Sequence, residues 1–413
     1  MINHQQQNTG VRITILFSLF VIMTGYGVLL PVLPFYVERL SLGSATDQKT
    51  INFHVGALTA IYPFFQLIFA VVWGKLSDRF GRRLFIAMGL LGFILMQLVI
   101  GLSTSITMFY FARIIGGIFT SAVIPISNAY LSDITSKEKR SKIMAWSGAA
   151  ISTGLIAGPV IGGLLAKTDF HISLSIGALH MDKFSVPFFA LIVPGIVALL
   201  MVLKKLKKSN NKRETVLTPV TISIDPPNSH SLVGLLLLSF IFQFSVASFE
   251  TVFSLYAKNE LLMNAYQIGT GFMLCGMFMA IFQPVFTADK STLISQKGKL
   301  ITGFGMAGIA LLTMPFINGF IYVYLLIIFF AVGGALIAPQ LTAMVSLHDD
   351  NNIAKNLSFQ TSANSVGQIV GPLIGTWLAG EWVLSPFFVS GGIMFIPVLV
   401  FIVMIKRRSY TVY

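Results

Sequence analysis

Twelve stretches of about twenty mostly apolar residues divide this chain, and a run of that length is what ~30 Å of hydrocarbon demands of an α-helix. They fall near 12–37, 54–73, 84–103, 107–131, 143–166, 185–203, 232–256, 264–287, 300–317, 320–342, 357–379 and 384–405. Composition supports the same reading: 55% of the 413 residues are hydrophobic and only 10% are charged, against about 25% in soluble domains. So few charges cannot clothe a soluble surface. The sequence specifies an all-α integral membrane protein of twelve transmembrane helices, and a water-soluble enzyme is excluded.

Several chemistries drop out quickly. Cys275 is the only cysteine, so no internal disulfide forms, and Cys/His zinc spacing is missing, so no metal site is expected. No Gly-x-x-x-x-Gly-Lys-Ser/Thr loop is present, which removes ATP as a direct energy source. All six histidines fall in expected tails, loops or helix ends. The net charge of +13 would suggest nucleic acid if it formed one patch. It is instead spread between the apolar runs.

That spread sets the topology, because Lys and Arg accumulate in cytoplasmic loops. With the N-terminus inside, all but six of the 28 Lys and Arg residues fall on the cytoplasmic side. Arg39, Lys49, Lys167, Lys183 and Lys258 lie opposite, and Arg113 lies within a span. Both termini are therefore expected in the cytoplasm, in a plasma-membrane protein. The first apolar run is longer than a signal-peptide core and lacks a small-residue cleavage site, so it is expected to stay as the first helix. The polar, basic stretch 204–230, with Pro226 and Pro227, reads as a linker between two halves, 1–203 and 231–413. Its charge also suits anionic lipid, at ~1 kcal/mol per basic residue near the surface.

The halves repeat one another. Gly154, Gly158, Pro159 and Gly162 in the fifth span recur as Gly367, Gly371, Pro372 and Gly375 in the eleventh, each 213 positions later. Pro125 and Pro339 match with an offset of 214. A parallel repeat of six helices, with the halves related about the membrane normal, places a transport path between them.

Two motifs stand out. Between the second and third spans, Gly74-Lys-Leu-Ser-Asp78-Arg79-Phe-Gly81-Arg82-Arg83 combines glycines suited to a tight loop with an acid for helix N-termini and bases for carboxylates or lipid phosphates. In the fifth span, Gly154, Gly158, Gly162 and Gly163 permit close helix approach and Pro159 bends the backbone.

Charges inside the spans are the most informative. Of fifteen acids only Glu250 lies well within one, about six residues from the outer end of the seventh span, or ~9 Å deep at 1.5 Å per residue. Arg113 lies at comparable depth in the fourth. A charge isolated in lipid costs a few kcal/mol or more, so each is expected to face a central cavity, water or the other. If the halves rock, Glu250 passes between surroundings, takes a proton when facing out and releases it when facing in. The neutral residues Gln66, Tyr26, Gln243, Gln360 and Asn364 are cavity candidates, with interhelical hydrogen bonding as the alternative. The 36 Phe and 17 Met residues suit a greasy, adaptable pocket.

The decapeptide Gly74–Arg83 resembles the loop signature of the major facilitator superfamily. Gly154–Gly163 resembles the helix-five signature of its drug-exporting antiporters, and Gly27-Val-Leu-Leu-Pro31-Val-Leu-Pro34 resembles the first helix of twelve-helix multidrug exporters. The likeness spans nearly the whole chain and is strongest to quinolone and multidrug exporters of Gram-positive bacteria. It implies two pseudo-symmetric six-helix bundles and a latch in which Asp78 holds the start of helix eleven while Arg79 and Arg82 pair with acids such as Asp133. It implies a weaker second latch at Asp289, Lys290, Lys297 and Lys299. It implies that Glu250 handles protons and drug with Arg113 and Gln66 nearby, and that the bend at Pro159 suppresses leak. One departure is plain: the relatives' helix-ten acid has no counterpart in Gly333-Gly-Ala-Leu-Ile-Ala-Pro339.

The expected function is proton-driven export of lipophilic drug-like compounds. The proton gradient stands in place of a cofactor, substrate and protons and lipids are the partners, nucleic acid is not one, and a monomer suffices. Export of an endogenous metabolite or lipid on the same fold, and a non-transporting membrane sensor, are the alternatives.

Overall fold

In a computed structural model, residues 2–41, 47–136, 139–167, 174–176, 179–206, 229–287, 295–317, 319–346, 348 and 353–410 are described. Nearly all are helical. The helices are α1 Ile2–Ser41, α2 Gln48–Phe80, α3 Arg82–Gly101, α4 Ile106–Thr120, α5 Val123–Asp133, α6 Arg140–Leu165 and α7 Val186–Lys205. They continue with α8 Ser229–Asn259, α9 Ala265–Thr287, α10 Gln296–Thr313, α11 Phe320–Ser346, α12 Ile353–Glu381 and α13 Ser385–Tyr410. Most of the expected linker, residues 207–228, and the Asp289–Lys290 pair lie outside the described residues.

Among the described residues thirteen helices cover the twelve expected spans, because the fourth is broken. Pro125 has no N–H to offer the carbonyl of Ser121, and its ring crowds that carbonyl; α4 accordingly stops at Thr120 and α5 starts at Val123. Pro159, Pro284, Pro339 and Pro372 are each absorbed within a continuous helix. Among the described residues ten segments are long and apolar enough to cross a membrane, α4 and α5 counting as one, and Ser385–Leu399 of α13 is apolar but shorter. The polar run Gln360-Thr-Ser-Ala-Asn364-Ser365 sits in α12, which is not among the ten. A short antiparallel hairpin, β1 Leu174–Ile176 with β2 Leu179–Met181, joins α6 to α7, an element the apolar pattern does not signal.

Between the second and third spans the chain differs from the expected tight loop. Helix α2 runs on to Phe80 and α3 starts at Arg82, so Gly81 alone interrupts them. Its φ of 95° lies where an L side chain is strained, which is why one glycine suffices. Ser77 Oγ donates to the Gly74 carbonyl at 2.8 Å within this helical stretch.

The chain forms two compact units, one of Met1–Val32 with Ile61–Pro227 and the other of Leu33–Ala60 with Asn228–Tyr413. In the first, α6 lies against α1: a Cβ on Gly158 would come within 2.5 Å of the Thr24 carbonyl oxygen and 2.7 Å of Gly27 Cα. Gly154 and Gly162 press in the same way on Phe20 and Val28, and Gly163 is buried beside them. In the second, α12 lies against α8, where a Cβ on Gly371 would come within 2.5 Å of the Phe244 carbonyl oxygen. The repeated glycine stripe therefore makes the same kind of helix contact in each unit. Without water to drive association, such backbone proximity is the main source of packing energy between spans. Large apolar side chains such as Phe111, Trp146, Val193, Ile321 and Trp377 remain exposed, as a lipid-facing surface requires.

Candidate functional site

In the first unit the chemistry gathers where α2 meets α4. Arg113 is 1% exposed, and its guanidinium carbon lies 4.3 Å from the centre of the Tyr62 ring. The face of an aromatic ring carries partial negative charge and attracts a cation. The Tyr62 hydroxyl lies 2.7 Å from Thr120 Oγ1, and Gln66 Nε2 donates to the same oxygen over 3.3 Å. Tyr26 completes the group, its ring 6.1 Å from that of Tyr62. Trp73 Nε1, donating to the Ile118 carbonyl at 2.6 Å, fixes α2 on α4 two turns further along.

Sequence reasoning picks out Tyr26, Gln66 and Arg113 but passes over Tyr62 and Thr120. A signal was available. Tyr62 and Gln66 are four residues apart, and Arg113 and Thr120 seven apart, so each pair shares a helix face.

In the second unit Glu250 sits on α8 within a long buried stretch. From Phe242 to Ala257 only Gln243, Val246 and Glu250 are half-buried and the rest are buried; their spacing of three and four places them on one face. Aromatics pack beside that face, Phe249 lying 4.7 Å from Phe330 and 5.4 Å from Phe253 between ring centres. Cys275 of α9 is near enough to interact electrostatically with Glu250. Gln360 is buried and donates to Ser239 Oγ at 3.2 Å, an interhelical bond between α12 and α8, while Asn364 is half-buried one turn on. The stretch Gly333–Ile337 of α11 is buried.

Around Gly81 the charges form a separate cluster. Arg82 Nε lies 3.0 Å from Asp133 Oδ2, and Arg82 Nη2 lies 3.5 Å from Asp78 Oδ1. Arg79 extends over the Phe80 ring at 5.3 Å, and Gly74 has open space around it. Of the candidate second latch, Lys299 Nζ donates to the Phe286 carbonyl at 2.8 Å. Among the described residues no cluster of His, Cys, Asp or Glu is arranged to hold a metal ion.

Comparison with known proteins follows the same lines. The sequence model of the Major Facilitator Superfamily matches residues 15–348 and again 235–411. Multidrug resistance protein 2 of Bacillus subtilis is 28% identical over 401 residues, covering 94% of this chain and 93% of that protein. The quinolone resistance protein NorA of Staphylococcus aureus is 24% identical over 400 residues, covering 95% and 96%. Among solved structures, a peptide transporter superimposes with a TM-score of 0.74 at 16% identity over 96% of this chain and 94% of that one.

Proposed function

The chain belongs to the Major Facilitator Superfamily, and from that premise we propose that it is a proton-coupled exporter of lipophilic, drug-like cations and zwitterions. It is a multi-pass membrane transporter and not an enzyme. The observation that carries the proposal is Glu250: an acid within an apolar helix, on the half-buried stripe that runs through the otherwise buried 242–257 stretch of α8. An ionisable group at that depth costs too much to retain without a use. The names of the multidrug and quinolone resistance relatives point to the same substrate class.

In this reading both termini face the cytoplasm of the cell membrane, a single chain is competent, and two halves joined by 204–230 expose the site alternately to each side. No bond is made or broken. The proton gradient biases two states, and one charge crossing 100 mV is worth ~2.3 kcal/mol. Glu250 takes a proton from outside and surrenders it inside, where its carboxylate then receives the cationic substrate. Because α11 has no acid at 333–339, one carboxylate serves both tasks in turn.

The test is ethidium or fluoroquinolone efflux driven by an imposed pH gradient in vesicles of purified protein, with and without a protonophore. Glu250→Gln should abolish gradient-driven efflux while the protein stays folded in the membrane. Undiminished coupled efflux by that variant would remove Glu250 from the mechanism.

A further inference from the structure

Thr120 sits at the centre of the Arg113 cluster, and its hydroxyl has three partners. It donates its one hydrogen to the Gly116 carbonyl at 2.7 Å, the usual i−4 bond of a threonine inside a helix. With that hydrogen spent, Thr120 Oγ1 can only accept. The Tyr62 hydroxyl at 2.7 Å must therefore be the donor, and so must the group that Gln66 turns towards it at 3.3 Å. For a side-chain amide this settles the orientation: the NH₂ points at Thr120, and the carbonyl oxygen points the other way. Among the described residues Gln66 Oε1 takes no other hydrogen bond, and Gln66 is half-buried rather than sealed.

We propose that Thr120 is a positioning residue for substrate selection, holding Gln66 so that its carbonyl oxygen is offered as a hydrogen-bond acceptor to ligands carrying N–H or O–H donors. This rests on the exporter reading above and narrows it. Within the lipophilic cations, the first unit favours those with amine or amide hydrogens over those that are charged but have none. The same hydroxyl keeps the Tyr62 ring beneath Arg113, so one side chain orders both polar groups. Removing it frees the Gln66 amide to rotate, and an amide that turns its NH₂ outward meets the ligand's donor with a donor.

The experiment uses purified full-length protein and two fluorescence readouts: direct binding of ethidium, which carries two aromatic amines, and its displacement by tetraphenylphosphonium, which has no hydrogen-bond donor. Thr120→Val keeps the shape and removes the hydroxyl, so it should weaken ethidium binding about threefold to tenfold, the worth of one neutral hydrogen bond, with tetraphenylphosphonium unchanged. Thr120→Ser should restore ethidium binding, and Gln66→Leu should copy Thr120→Val with no further loss in the double variant. Equal weakening of both ligands by Thr120→Val, or no weakening of ethidium, would overturn the inference while leaving the exporter reading intact. If Thr120→Val fails to fold, Thr120→Ala, which also removes the hydroxyl, decides on the same selectivity. Failure of the unaltered protein to bind either cation would overturn the exporter reading, and this inference with it.

Discussion

Lys258 Nζ of α8 lies 2.6 Å from Glu38 Oε2 of α1, and the same ammonium lies 5.4 Å from the centre of the Phe35 ring. The lysine side chain is only 9% exposed, whereas Glu38 is 44% exposed. Half of the pair is thus held in a dry setting and half in a wet one. Lys49 of α2 pairs with Glu381 of α12 in the same unit, so the C-terminal end of α1 and the N-terminal end of α2 are each tied by charge to a helix from the second half of the sequence.

Glu38→Gln leaves Lys258 without its carboxylate, and Lys258→Met leaves Glu38 largely in solvent. The first change should therefore cost more than the second. Screening at Glu38 keeps the pair itself to about 1 kcal/mol. Thermal unfolding in detergent of the two single variants, the double variant and the charge exchange Glu38→Lys with Lys258→Glu gives the coupling directly. A coupling energy of zero would show that the pair is a passive neighbourhood of charges.

The glycine stripes make a sharper forecast. Gly158→Ala and Gly371→Ala would each force a Cβ against a backbone carbonyl oxygen 2.5 Å away, and overpacking of that kind costs about 1–3 kcal/mol. Gly148 lies on the same helix as Gly158 with nothing within 4 Å of its added Cβ, so Gly148→Ala should leave the melting temperature unchanged or raise it slightly. Equal melting temperatures for Gly148→Ala and Gly158→Ala would mean that α6 and α1 are not packed as closely as described.

These glycines also show what a sequence can disclose. Their repetition at a fixed offset is visible in the letters alone, and helix-forming apolar runs announce the spans, because membrane burial leaves the chain few other choices. Contacts between distant positions are another matter. Lys258 and Glu38 look like ordinary loop-side charges until α1 and α8 meet. Tyr62 and Thr120 look like unremarkable core residues, since neither carries a charge and only the folded α2–α4 contact joins them to Arg113. The stretch from Gly74 to Arg83 reads as a loop because glycines flank its charges, yet Gly74 tolerates a helix and only Gly81 leaves it.

That difference is testable at Gly81, where φ is 95°. Gly81→Ala must either hold a strained backbone, at about 1–3 kcal/mol, or run α2 into α3 and displace Arg82. Gly74→Ala, with open space and helical backbone, should be stabilising by a few tenths of a kcal/mol up to about 1 kcal/mol. Melting temperatures of the two variants should move in opposite directions. Parallel movement would contradict the single-residue hinge.

Arg82 makes the last prediction because it serves two acids from one side chain. Its Nε reaches Asp133 at 3.0 Å and its Nη2 reaches Asp78 at 3.5 Å, with Asp133 34% exposed and Asp78 55% exposed. The closer and drier contact should matter more, so Asp133→Asn should destabilise by about 1 kcal/mol and Asp78→Asn by less. A guanidinium spans both partners because its nitrogens lie in a fixed plane, whereas an ammonium is a single point on a flexible stem. Arg82→Lys should therefore behave almost as Arg82→Gln in thermal unfolding, and neither should respond further to Asp78→Asn. If Arg82→Lys matched the unaltered protein, charge alone rather than the bridging geometry would hold α5 to the start of α3.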